Sequence, residues 1–246
     1  MNVLITGGSR GIGRAMVLRI VQAGHGCAFT YAVNQIAAEE TIRLAKQINP
    51  QATVRAYALD VKRSDMVEKV IDAILRDFDN ITAVVNNAAV VRNNAAALMS
   101  NEEWDEVIAA NLTGPFYVIR GFLMHFLSNR KGKIINISSL AQDGCSGQIN
   151  YAASKAGLIG LTQTLAKEYG AKGITANVVT VGYVPTDMTK DHLSESLHNF
   201  WLQHCPLKKA GCAEDIANVV NFLISEEANF INGEVIRVSG GLTYAP

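Results

Sequence analysis

Thr6-Gly7-Gly8-Ser9-Arg10-Gly11-Ile12-Gly13 is the stretch on which the fold turns. It follows a short apolar run, Val3–Thr6, and opens a helix-length amphipathic segment, Gly11–Ala23. Strand, glycine-rich turn and helix in that order form a loop suited to nucleotide phosphates. Gly7 permits a tight turn, Gly11 lets the backbone approach a pyrophosphate, and Gly13 lets the helix pack on the strand. The phosphates then face the helix N-terminus, where free N–H groups and the helix dipole favour anions.

Outward from that turn the same order repeats. Strands are expected at Val3–Thr6, Gly26–Tyr31, Val54–Leu59, Ala83–Asn86, Lys133–Ile137, Thr175–Val181 and Glu234–Val238. Helices are expected at Gly11–Ala23, Ile36–Ile48, Ser64–Phe78, Glu102–Leu127, Tyr151–Tyr169 and Glu214–Ser225. Several of the strands are apolar on both faces, which calls for a parallel sheet covered by helices on both sides. Right-handed crossovers make it doubly wound, a Rossmann-type α/β sheet of about seven strands. No linker or repeat divides the chain, so residues 1–246 are expected to form a single domain. The long irregular stretch at about 183–206 is expected to act as a lid.

Composition narrows the function. Lys+Arg and Asp+Glu both number 22, which argues against nucleic-acid binding or a basic membrane-binding surface. No run approaches the ~20 apolar residues that span a bilayer. The opening apolar stretch is too short for a secretory leader. Four scattered cysteines, Cys27, Cys145, Cys205 and Cys212, lack the paired spacing of a metal site and fit free thiols. A cytoplasmic protein without a bound metal is expected.

Charge then bears on the cofactor. A site for NAD usually carries an acidic residue at the end of the second strand, to hold the ribose 2′-hydroxyl. Here that region reads Thr30-Tyr31-Ala32-Val33-Asn34, and the first acidic residue of the chain is Glu39. Arg10, inside the glycine turn, can reach a 2′-phosphate, so NADP(H) is expected. Leu59-Asp60-Val61 closes the third strand, where an aspartate can bond the adenine amino group. Asn86-Asn87-Ala88-Ala89 closes the fourth, where small residues allow close approach to the adenosine ribose.

The reacting centre is expected beyond the carboxyl ends of the strands. Strand five ends at Ser138-Ser139, and Tyr151-Ala152-Ala153-Ser154-Lys155 follows on a helix. That spacing sets a phenol and an ammonium one turn apart on one face. The ammonium is expected to draw the tyrosine pKa down toward the working range. Tyr151 donates a proton to a substrate carbonyl while a serine hydroxyl bonds the same oxygen. Lys155 also reaches the nicotinamide ribose, and Asn111 holds a water that re-protonates Lys155.

Together these motifs resemble the classical short-chain dehydrogenase/reductase family. Thr6 to Gly13, Asn86-Asn87-Ala88, Asn111-Leu112, Ile137-Ser138-Ser139 and Tyr151-x-x-x-Lys155 match the family's ordered motifs across essentially the whole chain. Residues Gly147 to Gly157, Thr186-Asp187-Met188-Thr189 and the closing Gly233-Glu234 with Ser239-Gly240-Gly241 are most similar to the 3-oxoacyl-(acyl-carrier-protein) reductases.

The resemblance implies a catalytic tetrad of Asn111, Ser139, Tyr151 and Lys155. It implies cofactor contacts from Gly7, Ser9, Arg10, Gly11, Ile12, Gly13, Asn34, Asp60, Val61, Asn87 and Ala88, and from Val184 and Thr186 at the nicotinamide end. It further implies an acyl carrier protein bearing the substrate, met by Arg130 and Lys172 beside the entrance. It implies a homotetramer built partly through the Glu102–Leu127 and Tyr151–Tyr169 helices. Ala89 and Val181 stand where the family has glycine and proline. The usual serine-to-tyrosine count points to Ser138, whereas the phase of the strand selects Ser139, with the loop Ala141–Gly147 one residue short.

Overall fold

The computed structural model describes residues 1–186 and 195–244. Its centre is a seven-stranded, wholly parallel sheet in the order β3-β2-β1-β4-β5-β6-β7. The strands are β1 (Asn2–Ile5), β2 (Gly26–Tyr31), β3 (Val54–Ala58), β4 (Ala83–Asn86), β5 (Gly132–Ser139), β6 (Ile174–Val181) and β7 (Val235–Val238). The order reverses between β1 and β4, and that switch point opens a crevice at the carboxyl ends of the strands.

Each strand sends alternate side chains into opposite layers. Val3 and Ile5 of β1, Val85 of β4 and Ile135 of β5 join one core cluster with Met16, Val17 and Ile20 of α1 (Gly11–Gln22). The same cluster holds Val220 and Leu223 of the last helix, Ala213–Ile224. Leu4, Val84 and Ile134 point the other way. They pack with Val67 and Ile71 of α3 (Ser64–Asp77) and with Val118, Phe122 and Phe126 of α5 (Gly114–Asn129). Burial on both faces is why these strands read as unbroken apolar runs rather than as alternating ones. The remaining helices that bear on the site are α2 (Gln35–Ile48), α4 (Asn101–Ile108) and α6 (Ile149–Tyr169).

The sequence reading differs from the structure in two places that matter. The helix expected at Glu102–Leu127 is a rod from Asn101 to Asn129 interrupted by a π-helical turn at Ala109–Thr113. Pro115 lies two residues beyond it, and its missing N–H favours a break in the regular ladder there. By length and composition this rod is apolar enough to cross a membrane (mean hydropathy 1.3). Its Val118, Ile119, Phe122 and Phe126 are buried against the sheet instead, as in the core helix of a globular domain.

The second difference lies in the stretch expected to be irregular at 183–206. Residues Glu195–His204 form a helix, α7. Its His198 and Trp201, three residues apart on one face, meet Tyr183 at the end of β6. Tyr183 Oη lies 2.6 Å from His198 Nδ1, and its ring stacks on Trp201 at 5.4 Å. Leu140, Cys205 and Leu242 complete this small third core. The 187–194 part of the expected lid, with Asp187, Met188, Thr189 and His192, lies outside the described residues. The last helix, Ala213–Ile224, is α8.

Candidate active site

A cavity of about 550 Å³ occupies the crevice at the switch point. Every residue expected to touch a cofactor lines it: Gly7, Ser9, Arg10, Gly11, Ile12 and Gly13 from the first turn, Asn34 after β2, Asp60 and Val61 after β3, Asn87 and Ala88 after β4, Tyr151 and Lys155 from α6, and Val184 and Thr186 after β6. Ser138 and Ser139 line it too, whereas Asn111 does not.

Gly8 and Gly13 of the turn have no space for a side chain, whereas a Cβ on Gly11 would meet only Thr186, at 3.7 Å. Gly7 has φ +70°, a conformation that an L side chain adopts only with strain. A Cβ on Gly13 would overlap the Gly7 carbonyl and approach the Asn87 amide to 2.8 Å. Thr6 Oγ1 accepts from the Asn87 and Ala88 N–H groups, and the Asn87 amide donates to the Thr6 and Gly7 carbonyls. Asn87 thus ties the end of β4 to the turn. Asn34 caps α2 by accepting from the Ala37 N–H at 2.9 Å. The Asp60 carboxylate accepts from the Lys62 N–H at 3.0 Å and faces the Lys62 ammonium at 3.5 Å.

The cavity fits a dinucleotide from one end to the other. It opens at the N-terminus of α1, and its walls run from Asn34 and Asp60 to Tyr151 and Lys155.

At that last wall the two serines separate. Ser139 is the serine whose side chain bears on the Tyr151 phenol and pulls its pKa down, and its Oγ accepts from the Ala141 N–H. Ser138 turns the other way, is almost fully buried and donates to the Lys155 carbonyl at 3.1 Å. Adjacent residues on a strand point to opposite faces, so only one of them can meet the phenol. The short loop after β5 is accommodated by a 3₁₀ turn at Leu140–Asp143, followed by Gly144 at φ +109°.

The electrostatics correct one expectation. Burial pushes the Tyr151 phenol up to about 12, with the Ser139 hydrogen bond pulling against it and Cys145 adding a smaller upward push. Lys155 does not draw it down. Its Nζ donates to the Ile137 carbonyl at 2.8 Å and stands 5.5 Å from the tyrosine ring centre. Burial lowers Lys155 itself from 10.5 to about 8. The pair therefore consists of a phenol that stays protonated and an ammonium that titrates near neutrality.

Asn111 sits in the π-helical turn, and its side chain is already engaged. Its Oδ1 accepts from the Val90 N–H at 2.8 Å, and its Nδ2 donates to the Val90 carbonyl at 2.9 Å. Its side chain locks the loop after β4 and does not reach Lys155. Asn150, missed by the sequence reading, is fully buried at the start of α6. It donates to the Arg92 and Glu103 carbonyls and accepts from the Tyr151 N–H, which fixes where the phenol enters the cavity. Its place directly before Tyr151 was the only available signal.

Arg130 and Lys172 lie together but not beside the entrance. Arg130 Nη2 approaches the Ala171 carbonyl at 3.5 Å. Both residues precede strands, β5 and β6, so they sit at the amino end of the sheet. The cavity is at the other end, roughly 25 Å away along eight strand residues.

Known proteins are similar to this chain over nearly its whole length. A family model described as enoyl-(acyl carrier protein) reductase matches residues 7–243. The chain is 39% identical over 242 residues to the 3-oxoacyl-(acyl-carrier-protein) reductase FabG of Staphylococcus epidermidis, covering 98% of each. It is 38% identical to FabG of Aquifex aeolicus, covering 97% of this chain and 96% of that one. The solved structure of levodione reductase superposes with a TM-score of 0.94 at 30% identity, covering 98% of this chain and 96% of that one. On its ordered motifs, its sheet and these relatives, the chain belongs to the short-chain dehydrogenase/reductase family.

Proposed function

We propose that this protein reduces the ketone of a 3-oxoacyl thioester, carried on acyl carrier protein, to the 3-hydroxyacyl thioester, with NADPH as reductant. The observation that carries the reading is the convergence of Ser139, Tyr151 and Lys155 on one wall of a dinucleotide-shaped cavity. The FabG relatives, similar from end to end, support the substrate class.

Bound in this cavity, a reduced nicotinamide supplies the hydride. Tyr151 Oη is the proton donor to the carbonyl oxygen, and its raised pKa keeps that proton in place at neutral pH. Ser139 Oγ, which bears on the phenol, orients the same oxygen and stabilises its developing charge. Lys155 Nζ holds a proton that is exchangeable near neutrality and serves as the reservoir for Tyr151. The Asn111 side chain is committed to Val90, so a water at this residue is held by its backbone carbonyl. NADPH rather than NADH is supported by Arg10 on the cavity lip and by the absence of any acidic residue before Glu39.

Arg130 and Lys172 are proposed to meet the acidic carrier. Because they lie at the amino end of the sheet, a carrier docked there delivers its substrate to the cavity of a neighbouring copy. Carrier recognition and homotetramer formation thus belong to one proposal. Exposed Phe116 and Met124 on α5 and Trp104 on α4 support an interface on that face. The scattered cysteines, with the buried Cys27 and Cys205 in no disulfide, support a reducing compartment, the cytoplasm.

The test is NADPH oxidation with a 3-oxoacyl chain on carrier protein, on a short thioester mimic, and with free levodione. The account expects kcat/KM to be highest on the carrier. A preference for levodione, the substrate that the levodione reductase likeness would favour, contradicts it.

A further inference from the structure

A second arginine, Arg14, stands one turn after Arg10 at the start of α1. Arg14, on the first helix, folds back behind the turn. Its Nε and Nη2 both donate to the Ser9 carbonyl, at 3.1 and 2.7 Å. Nε also donates to Thr41 Oγ1 at 3.0 Å, and Nη2 reaches the Ala37 carbonyl at 3.2 Å. Thr41, fully buried, lies 3.0 Å from the same Ser9 carbonyl. One carbonyl oxygen thus gathers the Arg14 fork and a threonine hydroxyl.

Two consequences follow from elementary geometry and charge. The Ser9–Arg10 peptide is planar and trans, so a carbonyl fixed toward Arg14 and Thr41 sends the Arg10 N–H away from the α1–α2 contact. Ser9 and Arg10 are both cavity-lining residues. The Ala37 contact also anchors the first turn of α2, whose cap, Asn34, lines the cavity with Ala32 and Val33. Arg14 therefore sets how the glycine turn and the start of α2 stand to each other.

The charge is as telling as the geometry. All four of Arg14's hydrogen bonds go to neutral oxygens, and among the described residues it makes no salt bridge. The Glu40 carboxyl is lowered first by its hydrogen bond to Arg43 and also by the Arg14 charge, but its hydrogen bonds go to Arg43. Arg14 thus has no hydrogen-bonded carboxylate among the described residues and places positive charge behind a slot whose rim is Arg10, Val33 and Asn34. Val33 is 92% exposed and offers no charge of its own. An anion placed in the slot is attracted by that charge as well as by Arg10.

We propose that Arg14, seconded by Thr41, is a positioning residue for the 2′-phosphate of the dinucleotide, holding the Ser9–Arg10 peptide and the α2 N-terminus around it and supplying the second positive charge of that subsite. This inference rests on the NADPH reading and names a residue that sustains it from behind the cavity wall.

The test compares two probes, 2′,5′-ADP and 5′-ADP, titrated calorimetrically into the full protein. Their affinity ratio isolates the 2′-phosphate. The wild type should favour 2′,5′-ADP. Arg14→Met, which keeps the aliphatic stem and loses the charge and the fork, should lower the ratio roughly ten- to a hundred-fold, the range of a hydrogen bond to a charged group. Arg14→Lys should fall between the two, since it keeps the charge without the fork. Raising the salt concentration should shrink the wild-type ratio more than that of Arg14→Met.

A purely structural role would weaken both probes alike and leave the ratio unchanged in Arg14→Met, which would overturn the proposal. If Arg14→Met does not fold, Arg14→Lys and Thr41→Val decide. A lowered ratio in either supports the proposal, and a wild-type ratio in both overturns it. A wild-type protein that binds the two probes equally is a different failure. It refutes the NADPH reading itself, and this inference falls with it.

Discussion

Replacing Lys155 by methionine should separate activity from stability, and the structure gives the size of the effect. Lys155 is 3% exposed, and its ammonium is lowered from 10.5 to about 8 by burial. Below about pH 8 both folded and unfolded chains carry the proton, and the folded state bears the full cost of a buried charge. Between about 8 and 10.5 the folded chain has lost a proton that the unfolded chain keeps. Stability rises with pH wherever the unfolded state binds more protons, here by up to about 1.4 kcal/mol per pH unit. From pH 8 to pH 10 the gain is roughly 2 to 3 kcal/mol.

Lys155→Met keeps the volume of the stem and removes this pH dependence. It also leaves the Ile137 carbonyl without its 2.8 Å donor, at a cost of about 1 to 3 kcal/mol that does not vary with pH. Urea unfolding of both proteins at one protein concentration, at pH 7, 8, 9 and 10, measures the difference. Lys133, also lowered by burial, is common to both proteins and cancels. Relative to the variant, the wild type should gain roughly 2 to 3 kcal/mol across the series, while the variant has lost turnover. Parallel stability curves would refute the argument that Lys155 is a costly buried cation kept for its chemistry.

Four further outcomes are expected. Ser139→Ala should lower kcat about 10²- to 10³-fold, as for loss of a donor to a developing oxyanion. Ser138→Ala should cost about 1 kcal/mol in stability and largely spare kcat, and the reverse pattern in steady-state kinetics would show that the register is misread. Gly13→Ala should abolish NADPH binding by fluorescence titration, because its methyl group overlaps the Gly7 carbonyl; nucleotide affinity close to wild type would count against the cradle. Arg130→Glu with Lys172→Glu should raise KM for carrier-bound substrate and leave the free thioester mimic unaffected, and equal loss on both would remove the carrier-docking role.

Much of the site was legible because it is local in the chain. The glycine turn, the strand ends and the one-turn spacing of Tyr151 and Lys155 are set by neighbours in sequence. The strand phase that chose Ser139 follows from the two-residue repeat of a strand. What could not be read depends on where side chains point across the fold. Lys155 was expected to tune Tyr151, but its Nζ is turned to Ile137, eighteen residues earlier in the chain. Asn111 was assigned a water, yet its amide is occupied by Val90. The Arg14–Ser9–Thr41 cluster joins residues up to 32 positions apart and has no sequence motif of its own. The helix Glu195–His204 docks on Tyr183 through His198 and Trp201, and the Tyr183–His198 contact joins residues 15 positions apart with no local motif to announce it. The misplacement of Arg130 and Lys172 was avoidable, since residues that precede parallel strands lie opposite the ligand-binding edge.

The most direct test of the central claim is the rate of NADPH oxidation with 3-oxoacyl carrier protein by Tyr151→Phe, set against the wild type under single-turnover conditions. The hydroxyl is removed while the ring and the fold are kept. The account predicts a loss greater than the ~10²–10⁴ typical of a general acid alone, because the phenol also orients the carbonyl beside Ser139, with NADPH affinity little changed. A Tyr151→Phe enzyme that turns over carrier-bound substrate at a near wild-type rate would contradict it.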